Sequence, residues 1–240
     1  MIKGGKRMKN YAVIIPAYRP KEKLLQYVEA LLQHNVAQII VVSDGNNERY
    51  RELFHQLSSI EFCTVLYHKF NHGKGRSLKT AFKYFLKHYS ALSGVVTADA
   101  DGQHLVEDVL KVGEHLERNK EGFVLGIRDF ERRNIPLRSL IGNVITSRVF
   151  QGLSGTYIKD TQTGLRGIAT SELKWVMQLK GNHFDYEMNM LINMIKKKKR
   201  IVHVDIAAVY EEKHISYFNT YKDSVRIVEQ IIREYFSKII

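Results

Sequence analysis

Two carboxylates stand two residues apart in the segment Asp99-Ala100-Asp101-Gly102-Gln103-His104. The apolar run before them, Gly94–Ala98, is typical of a buried strand. Two carboxylates that leave a strand together at a glycine turn can face one hard cation, whose other oxygen ligands come from water and substrate phosphates. The spacing indicates a Mg²⁺ or Mn²⁺ site at Asp99 and Asp101, with a solvated acidic loop as the alternative.

A glycine-rich basic segment, Asn71–Arg76, stands at the start of a predicted helix over Gly75–His88. Backbone N–H groups and the helix dipole favour a phosphate at such a position. The spacing is not that of a P-loop. Two interpretations stay open: Lys74 and its neighbours contact a diphosphate or sugar, or the segment is a tight turn with solvated charges.

Four arginines fall within eleven residues, directly after the predicted strand Gly122–Ile127. Guanidinium forks match phosphate oxygens, so the cluster predicts binding of an anionic acceptor such as a phosphate. An exposed basic loop on a basic protein is the alternative. The four residues are Arg128, Arg132, Arg133 and Arg138.

Two further acidic residues are candidates for a functional role. Asp160 lies in a polar turn, Lys159–Gly167, where it is either a functional acid or simply pairs with Arg166 to support the turn. Glu187 opens a predicted helix, Tyr186–Lys197, either as a favourable N-terminal charge or as a second active-site carboxylate.

Short apolar runs alternate with amphipathic stretches in the first half of the chain, which is typical of βα units building a parallel sheet. Ligands of such sheets bind outside the carboxyl ends of the strands. The four polar loops that follow the strands are therefore expected to converge on one edge. The predicted strands are Tyr11–Ile15, Gln38–Val42, Cys63–His68 and Gly94–Ala98, and the helices between them are Lys21–His34, Asn47–Leu57 and Gly75–His88.

The second half predicts a helix at Leu137–Gly152, a strand at Ile201–Tyr210 and a last helix at Tyr217–Ile240. Without a Pro- or Ser-rich linker or a repeat, we expect one domain, with an N-terminal tail over 1–10 and the domain over 11–215. The amphipathic helix over 216–240 is expected to pack on the domain or on a partner, a second copy included, and a position at a lipid surface is the alternative.

The composition is that of a globular chain of 240 residues, with 37 Lys and Arg against 25 Asp and Glu, a net charge of +12. This charge predicts an anionic ligand: nucleic acid, an anionic membrane or a phosphorylated small molecule. The single cysteine, Cys63, excludes an intramolecular disulfide framework. No apolar run reaches the ~20 residues of a membrane-spanning helix. The expected location is the cytoplasm or the inner face of the cell membrane.

The order of these motifs resembles family 2 glycosyltransferases with the GT-A fold, in the branch of dolichyl-phosphate mannosyltransferases and polyprenyl-phosphate glycosyltransferases. The resemblance implies an α/β fold in three layers, α/β/α, with a mostly parallel central sheet. The matching segments are Ile14–Glu22, Ile39–Gly45, Asn71–Phe82, Gly94–His104, Gly126–Arg128 and Asp160–Gly167.

The resemblance also implies roles for individual residues. Asp99, Asp101 and Gln103 would surround a divalent ion on the diphosphate of a nucleotide sugar. Asp44 would contact the base or ribose, but Ser43 stands where the family usually has a second acid, which leaves UDP and GDP both open. The nucleotide pocket would be lined by Pro16, Tyr18 and Glu22.

On the acceptor side, the resemblance implies that Asp160 orients or deprotonates the acceptor. Arg128 and Arg138 match family positions, and Arg166 is a further candidate for holding donor or acceptor oxygens.

The expected function is metal-dependent transfer of a sugar, with inversion, from a UDP- or GDP-linked donor to polyprenyl phosphate. A lipid acceptor would require peripheral membrane contact or a membrane-protein partner. Transfer to a hydroxyl of a cell-surface polysaccharide, with Asp160 or Glu187 as base, is the alternative. A basic nucleic-acid-binding protein is a remote alternative. Nucleic acid is not the expected partner, because no RNA or DNA module is recognisable and the aromatic residues are not interleaved with Lys and Arg.

Overall fold

The computed structural model describes residues 8–128 and 137–207, together with residues 229, 232, 233, 235 and 236. The described chain forms one seven-stranded sheet in the order β3-β2-β1-β4-β6-β5-β7. β6 is antiparallel to both of its neighbours, and the other pairs are parallel. The strands are β1 Ala12–Ala17, β2 Gln38–Asp44, β3 Cys63–His68, β4 Gly94–Thr97, β5 Phe123–Arg128, β6 Arg166–Ala169 and β7 Ile201–Ile206.

Helices cover both faces of the sheet. Side chains of α3, α5, α6 and α7 share one apolar cluster with one face, and those of α1, α2 and α4 share a second cluster with the other. This is the three-layer α/β/α architecture expected from the sequence. The helices are α1 Lys23–Gln33, α2 Arg51–Ser59, α3 Lys74–His88, α4 Val106–Asn119, α5 Leu137–Ser154, α6 Thr170–Val176 and α7 Asp185–Lys196.

The central strands form because their residues are apolar on both sides. All seven residues of β2 are buried, as are five of the six residues of β1. Such continuous apolar runs are typical of parallel strands covered by helices on both faces. Pro16 lies in β1 opposite Val42 of β2, beyond Ile14, the last β1 residue paired with β4, so its missing N–H costs no bond to β4.

The chain order reverses between β1 and β4. β2 and β3 lie on one side of β1, whereas β4 lies on the other, so the loops after β1 and β4 diverge from adjacent strands. In doubly wound sheets this switch point is where a crevice for ligands opens. The Asp99–His104 segment follows β4 directly and therefore stands at this crevice.

Three elements of the described chain were absent from the sequence prediction. α4 buries Val109, Val112 and Leu116 on one face, with acidic residues in its first turn. β6 has four residues, and its first is the buried Arg166. The last two residues of the predicted polar turn, Arg166 and Gly167, therefore belong to β6, and the short α6 follows that strand.

The predicted arginine loop lies largely outside the described residues, including Arg132 and Arg133, whereas Arg138 belongs to the backbone of α5. Residues 208–228 of the predicted last strand and helix also lie outside. In the described part of residues 216–240, Tyr235 is partly buried against the core cluster and Phe236 is exposed. None of the described helices is long and apolar enough to cross a membrane.

Candidate active site

Lys74 joins two acidic side chains from distant parts of the chain. Its Nζ lies 2.6 Å from Oδ1 of Asp99 and 2.9 Å from Oε2 of Glu187. Lys74 is the first residue of α3, Asp99 follows β4, and Glu187 lies in the first turn of α7. One ammonium group thus joins two of the four polar loops predicted to converge, those of Lys74 and Asp99, to the first turn of α7.

Glycines allow these elements to approach. A Cβ at Gly164 would lie 2.7 Å from Oδ2 of Asp99 and 3.0 Å from Nζ of Lys74, and a Cβ at Gly75 would overlap the side chain of Tyr186. The hydroxyl of Thr97 donates to the carbonyl of Gly164 at 2.8 Å and fixes that turn beneath the end of β4. Glycine at 164 is therefore required for the Asp99 carboxylate to occupy its position.

The charges in this cluster stabilise one another. Burial alone would raise the pKa of Asp99, but Lys74, with smaller contributions from His104 and Arg128, lowers it to about 2. Burial alone would lower the pKa of Lys74, but Asp99 and Glu187 raise it above its ordinary value. Asp99 is ionised and Lys74 is protonated at neutral pH.

The turn after Asp99 is held by its own side chains. Oδ1 of Asp101 accepts from the backbone N–H of Gln103 at 3.1 Å, while Gly102 has a φ of +80°. The backbone N–H of Asp99 donates to Nδ1 of His104 at 3.1 Å. This bond makes Nδ1 an acceptor, so the remaining ring proton of a neutral His104 is on Nε2. Burial lowers the pKa of His104 and favours that neutral form.

The residues at this turn fit a divalent ion as ligands. Asp99 is an ionised carboxylate that already attracts a cation, the Lys74 ammonium, and carboxylate oxygens are the ligands that Mg²⁺ and Mn²⁺ accept. In the described ranges, no group of three or more His, Cys, Asp and Glu side chains is arranged to hold a metal ion. An ion here would need further oxygens, for which the Gln103 amide, water and a substrate phosphate are suitable.

Arg128, at the end of β5, and Asp160 form a bidentate ion pair. Nε and Nη2 of Arg128 donate to Oδ2 and Oδ1 of Asp160 at 2.7 and 2.9 Å, and the backbone N–H of Arg128 donates to Oδ2 as well. Asp160 is fully buried, and its Oδ1 also accepts from the N–H of Gln162. The alternative ion pair of Asp160 with Arg166 is therefore wrong: the partner is Arg128.

Arg166 lies in the interior of the site rather than at its surface. Its side chain is buried in β6, where Nε donates to the carbonyl of Thr163 at 2.9 Å and Nη1 to the carbonyl of Glu187 at 2.6 Å. Arg166 thus ties the 160–165 turn to the start of α7 and supports Glu187 from its backbone side.

Asp44 anchors the loop before α3. Its carboxylate accepts from Nδ1 of His68 at 2.7 Å and from the backbone N–H groups of His72 and Gly73 at 3.0 and 2.8 Å. The N–H of Arg76 donates to the carbonyl of Asn182. Several amides that could have received a phosphate at this helix start are thus occupied by the protein itself.

The residues expected around the nucleotide lie at the ends of β1 and β2. Tyr18 and Glu22 are exposed, and Arg19, with a φ of +50°, stacks its guanidinium over the Tyr18 ring. Asn46 connects the two loops: its Oδ1 accepts from the N–H of Arg19 and its Nδ2 donates to the carbonyl of Ala17. Asn46 was not among the predicted site residues, although an amide directly after a strand-end Asp-Gly is a usual loop anchor.

A cavity of about 70 Å³ opens beside Asp99 and Arg128. It brings Asp99 and Gln103 of the predicted metal turn together with Arg128 of the predicted acceptor site. His104, which the sequence prediction did not assign, also lines it. The remaining lining residues are Gln162, Thr163, Gly164, Ile206 and Ala207.

The sequence profile described as Glycosyl transferase family 2 matches residues 12–175. The chain belongs to glycosyl transferase family 2. A UDP-N-acetylglucosamine–dolichyl-phosphate N-acetylglucosaminyltransferase of Methanococcus voltae is 30% identical over 218 residues, covering 83% of this chain and 86% of the relative. An uncharacterized protein of Methanocaldococcus jannaschii is 26% identical over 85% of this chain and 83% of its own length.

Solved structures of similar fold include glucosyl-3-phosphoglycerate synthase from Mycobacterium tuberculosis. Its complex with Mn²⁺, UDP and glucosyl-3-phosphoglycerate gives a TM-score of 0.64 at 16% identity, covering 96% of this chain and 80% of that chain. Its complex with UDP gives a TM-score of 0.70 at 13% identity, with coverage of 95% and 80%. The predicted GT-A fold of this glycosyltransferase is confirmed.

Proposed function

We propose that this glycosyltransferase transfers one sugar from a UDP-linked donor to a polyprenyl phosphate, with inversion at the anomeric carbon and with a divalent metal ion. The observation that carries the proposal is the cavity lined by both an ionised carboxylate, Asp99, and a guanidinium, Arg128. A carboxylate is suited to hold the metal ion that a nucleotide sugar's diphosphate needs, whereas an anionic acceptor needs a positive charge. The reaction requires these two groups at neighbouring positions. The names of the Methanococcus voltae relative and of the Mycobacterium tuberculosis complexes support UDP as the carrier.

Asp99, Asp101 and Gln103 would hold the metal ion. When bound, it supplies positive charge that stabilises the diphosphate as it leaves the sugar. The Lys74 ammonium, in contact with Asp99, provides a second positive charge beside the same position. Mg²⁺ and Mn²⁺ both accept this oxygen ligand set.

The state of Asp160 supports a phosphate acceptor over a hydroxyl acceptor. A sugar hydroxyl needs a base to remove its proton, whereas a phosphate monoester, with a second pKa near ~6, is already anionic at neutral pH. Both oxygens of Asp160 accept from Arg128, and the carboxylate is fully buried. Asp160 is better suited to hold Arg128 in place for a phosphate than to act as a base.

Glu187 would accept a hydrogen bond from a hydroxyl of the donor sugar. Its Oε2 pairs with Lys74, whereas its Oε1 is buried and has no hydrogen-bond partner among the described residues. A buried carboxylate oxygen without a donor is costly, and a sugar hydroxyl would supply that donor. We therefore assign Glu187 to sugar binding rather than to the role of a helix-end charge.

The experiment is transfer of radiolabel from a panel of UDP- and GDP-sugars to polyprenyl phosphate in detergent, with Mg²⁺, Mn²⁺ or EDTA. We expect label in the organic phase from a UDP-sugar, only when metal is present. NMR of the product should give the anomeric configuration opposite to that of the donor.

The same panel with an oligosaccharide acceptor separates the two acceptor classes. Label in the oligosaccharide, with none in the lipid, would overturn the phosphate acceptor and favour a cell-surface glycan. Equal transfer in EDTA would overturn the metal requirement. Peripheral attachment to a membrane, which a lipid acceptor implies, is tested by sedimentation with vesicles containing polyprenyl phosphate.

A further inference from the structure

The Asp99 carboxylate has one cation on it already. Nζ of Lys74 lies 2.6 Å from Oδ1, and the Lys74 side chain is only 13% exposed. A Mg²⁺ ion on the same oxygen would stand at about 2.0–2.1 Å. Two cations so close on one oxygen would repel each other strongly in a poorly solvated site.

The other oxygen of Asp99 offers no easy alternative. Oδ2 lies close to Gly164: a Cβ added at that glycine would stand 2.7 Å from Oδ2. Nε2 of the His104 ring stands 3.9 Å away on the same side. The Asp99 side chain is nevertheless 29% exposed and lines the cavity, so a metal ion that binds it there competes with the Lys74 ammonium at Oδ1.

We propose that Lys74 occupies the metal position of Asp99 until a nucleoside diphosphate arrives, and that the ammonium then shifts to the diphosphate, so that metal and nucleotide bind cooperatively. This inference rests on the proposed function, because it assumes the metal–diphosphate site at Asp99. Glu187 is the second ion-pair partner of Lys74. Its Oε2 lies 2.9 Å from Nζ and keeps the ammonium beside the site when the ammonium leaves Asp99.

The charge balance explains the direction of the coupling. Asp99 and Glu187 together carry two negative charges, and Lys74 neutralises one of them. A diphosphate brings further negative charge, which attracts the ammonium away from Asp99 and leaves that carboxylate to the metal ion. Because coupling is reciprocal, the metal ion must also strengthen nucleotide binding by the same factor.

The test measures Mn²⁺ binding to the full chain by the EPR signal of free Mn²⁺, with and without UDP. In the wild type we expect UDP to raise the Mn²⁺ affinity by a factor in the ~5–150 range typical of coupled sites. In Lys74→Met, Mn²⁺ alone should bind about tenfold more tightly, and the enhancement by UDP should fall by about the same factor. Lys83→Met, an exposed position of α3, is the matched control and should behave as the wild type.

Variants at Lys74 and at its second partner, Glu187, extend the test. Lys74→Gln keeps a hydrogen-bond donor without the charge, and it should reproduce Lys74→Met, which also covers the case that the Met variant does not fold. Glu187→Gln leaves Lys74 with Asp99 as its one charged partner in this cluster, so Mn²⁺ alone should bind more weakly than in the wild type.

Two results would count against the inference in different ways. If UDP enhances Mn²⁺ binding equally in wild type and in both Lys74 variants, Lys74 does not exchange, and the inference fails while the metal site stands. If the wild type binds no Mn²⁺ even with UDP, the metal-dependent function fails and takes the inference with it.

Discussion

Arg128 and Asp160, 32 residues apart in the chain, face each other as a parallel pair: Nε to Oδ2 at 2.7 Å and Nη2 to Oδ1 at 2.9 Å. The carboxylate is fully buried, whereas the Arg128 side chain is 19% exposed at the cavity wall. A buried acid that holds a partly exposed guanidinium fixes the direction in which that guanidinium can meet an anion. The pair thus connects the 160–165 turn to Arg128, the residue that we propose binds the acceptor.

Asp160→Asn should weaken both the fold and acceptor binding. The change leaves the Arg128 charge without its buried counter-ion, so we expect the free energy of unfolding to fall by about 3 kcal/mol. The KM for polyprenyl phosphate should rise more than the KM for the donor. Urea denaturation and steady-state kinetics measure the two effects, and a large loss of kcat with an unchanged acceptor KM would instead favour Asp160 as a base.

Arg51→Lys is the control for the Asp160 variant. Arg51 pairs with Glu48 at 2.7 Å, but both side chains are about three quarters exposed. Exposed pairs contribute little to stability, so this variant should match the wild type in both measurements.

Gly164→Ala should disable the site while leaving the fold intact. The added methyl would stand 2.7 Å from Oδ2 of Asp99 and 3.0 Å from Nζ of Lys74, and one of them must move. We expect kcat/KM for the donor to fall at least about tenfold, a cost of about 1.4 kcal/mol in transition-state binding. Gly152→Ala is the matched control, because a Cβ there meets nothing within 4 Å. Equal activity of the two variants would contradict the close contact at Gly164.

Periodicity and strand-end motifs predicted the first half of the fold well. The four predicted strands are β1 to β4, each within two residues at either end, because their apolar runs are bounded by polar loops. The convergence of those loops was also predictable, since the carboxyl ends of parallel strands share an edge. Lys74 meeting Asp99 is a direct result of that convergence.

The remaining elements and site contacts depend on contacts between distant segments of the chain. β6 has only four residues and begins with a charged one, Arg166, so nothing in its pattern indicates a buried antiparallel strand. Asp160 has an arginine six residues away, and proximity in sequence favours that pair, yet the sheet order places β5 and Arg128 against it. By contrast, α4 was predictable from the spacing of Val109, Val112 and Leu116.

Asp101→Ala should abolish transfer without unfolding the protein. The carboxylate is one of three proposed metal ligands, and metal ions supply several kcal/mol of charge stabilisation, so a loss of at least about 100-fold in kcat is expected. The melting temperature should change little, because Asp101 lies in a loop after β4 and is only partly buried. Glu121→Ala, at another exposed loop, is the control. Turnover like that of the wild type in Asp101→Ala would refute the metal site.

His104 should make the protein less stable in mild acid. Burial lowers its pKa in the folded state, so as the pH falls below about 6.5 the unfolded chain takes up the proton first and the free energy of unfolding decreases. The decrease ends once the pH is below the folded pKa, and its slope is at most about 1.4 kcal/mol per pH unit.

Urea denaturation between pH 7.5 and 5 measures this decrease in the free energy of unfolding. His104→Asn, whose amide oxygen can still accept from the N–H of Asp99, should flatten the profile, whereas His55→Asn, at an exposed position of α2, should leave it unchanged. Identical slopes in wild type and His104→Asn would show that His104 is not held neutral by its burial.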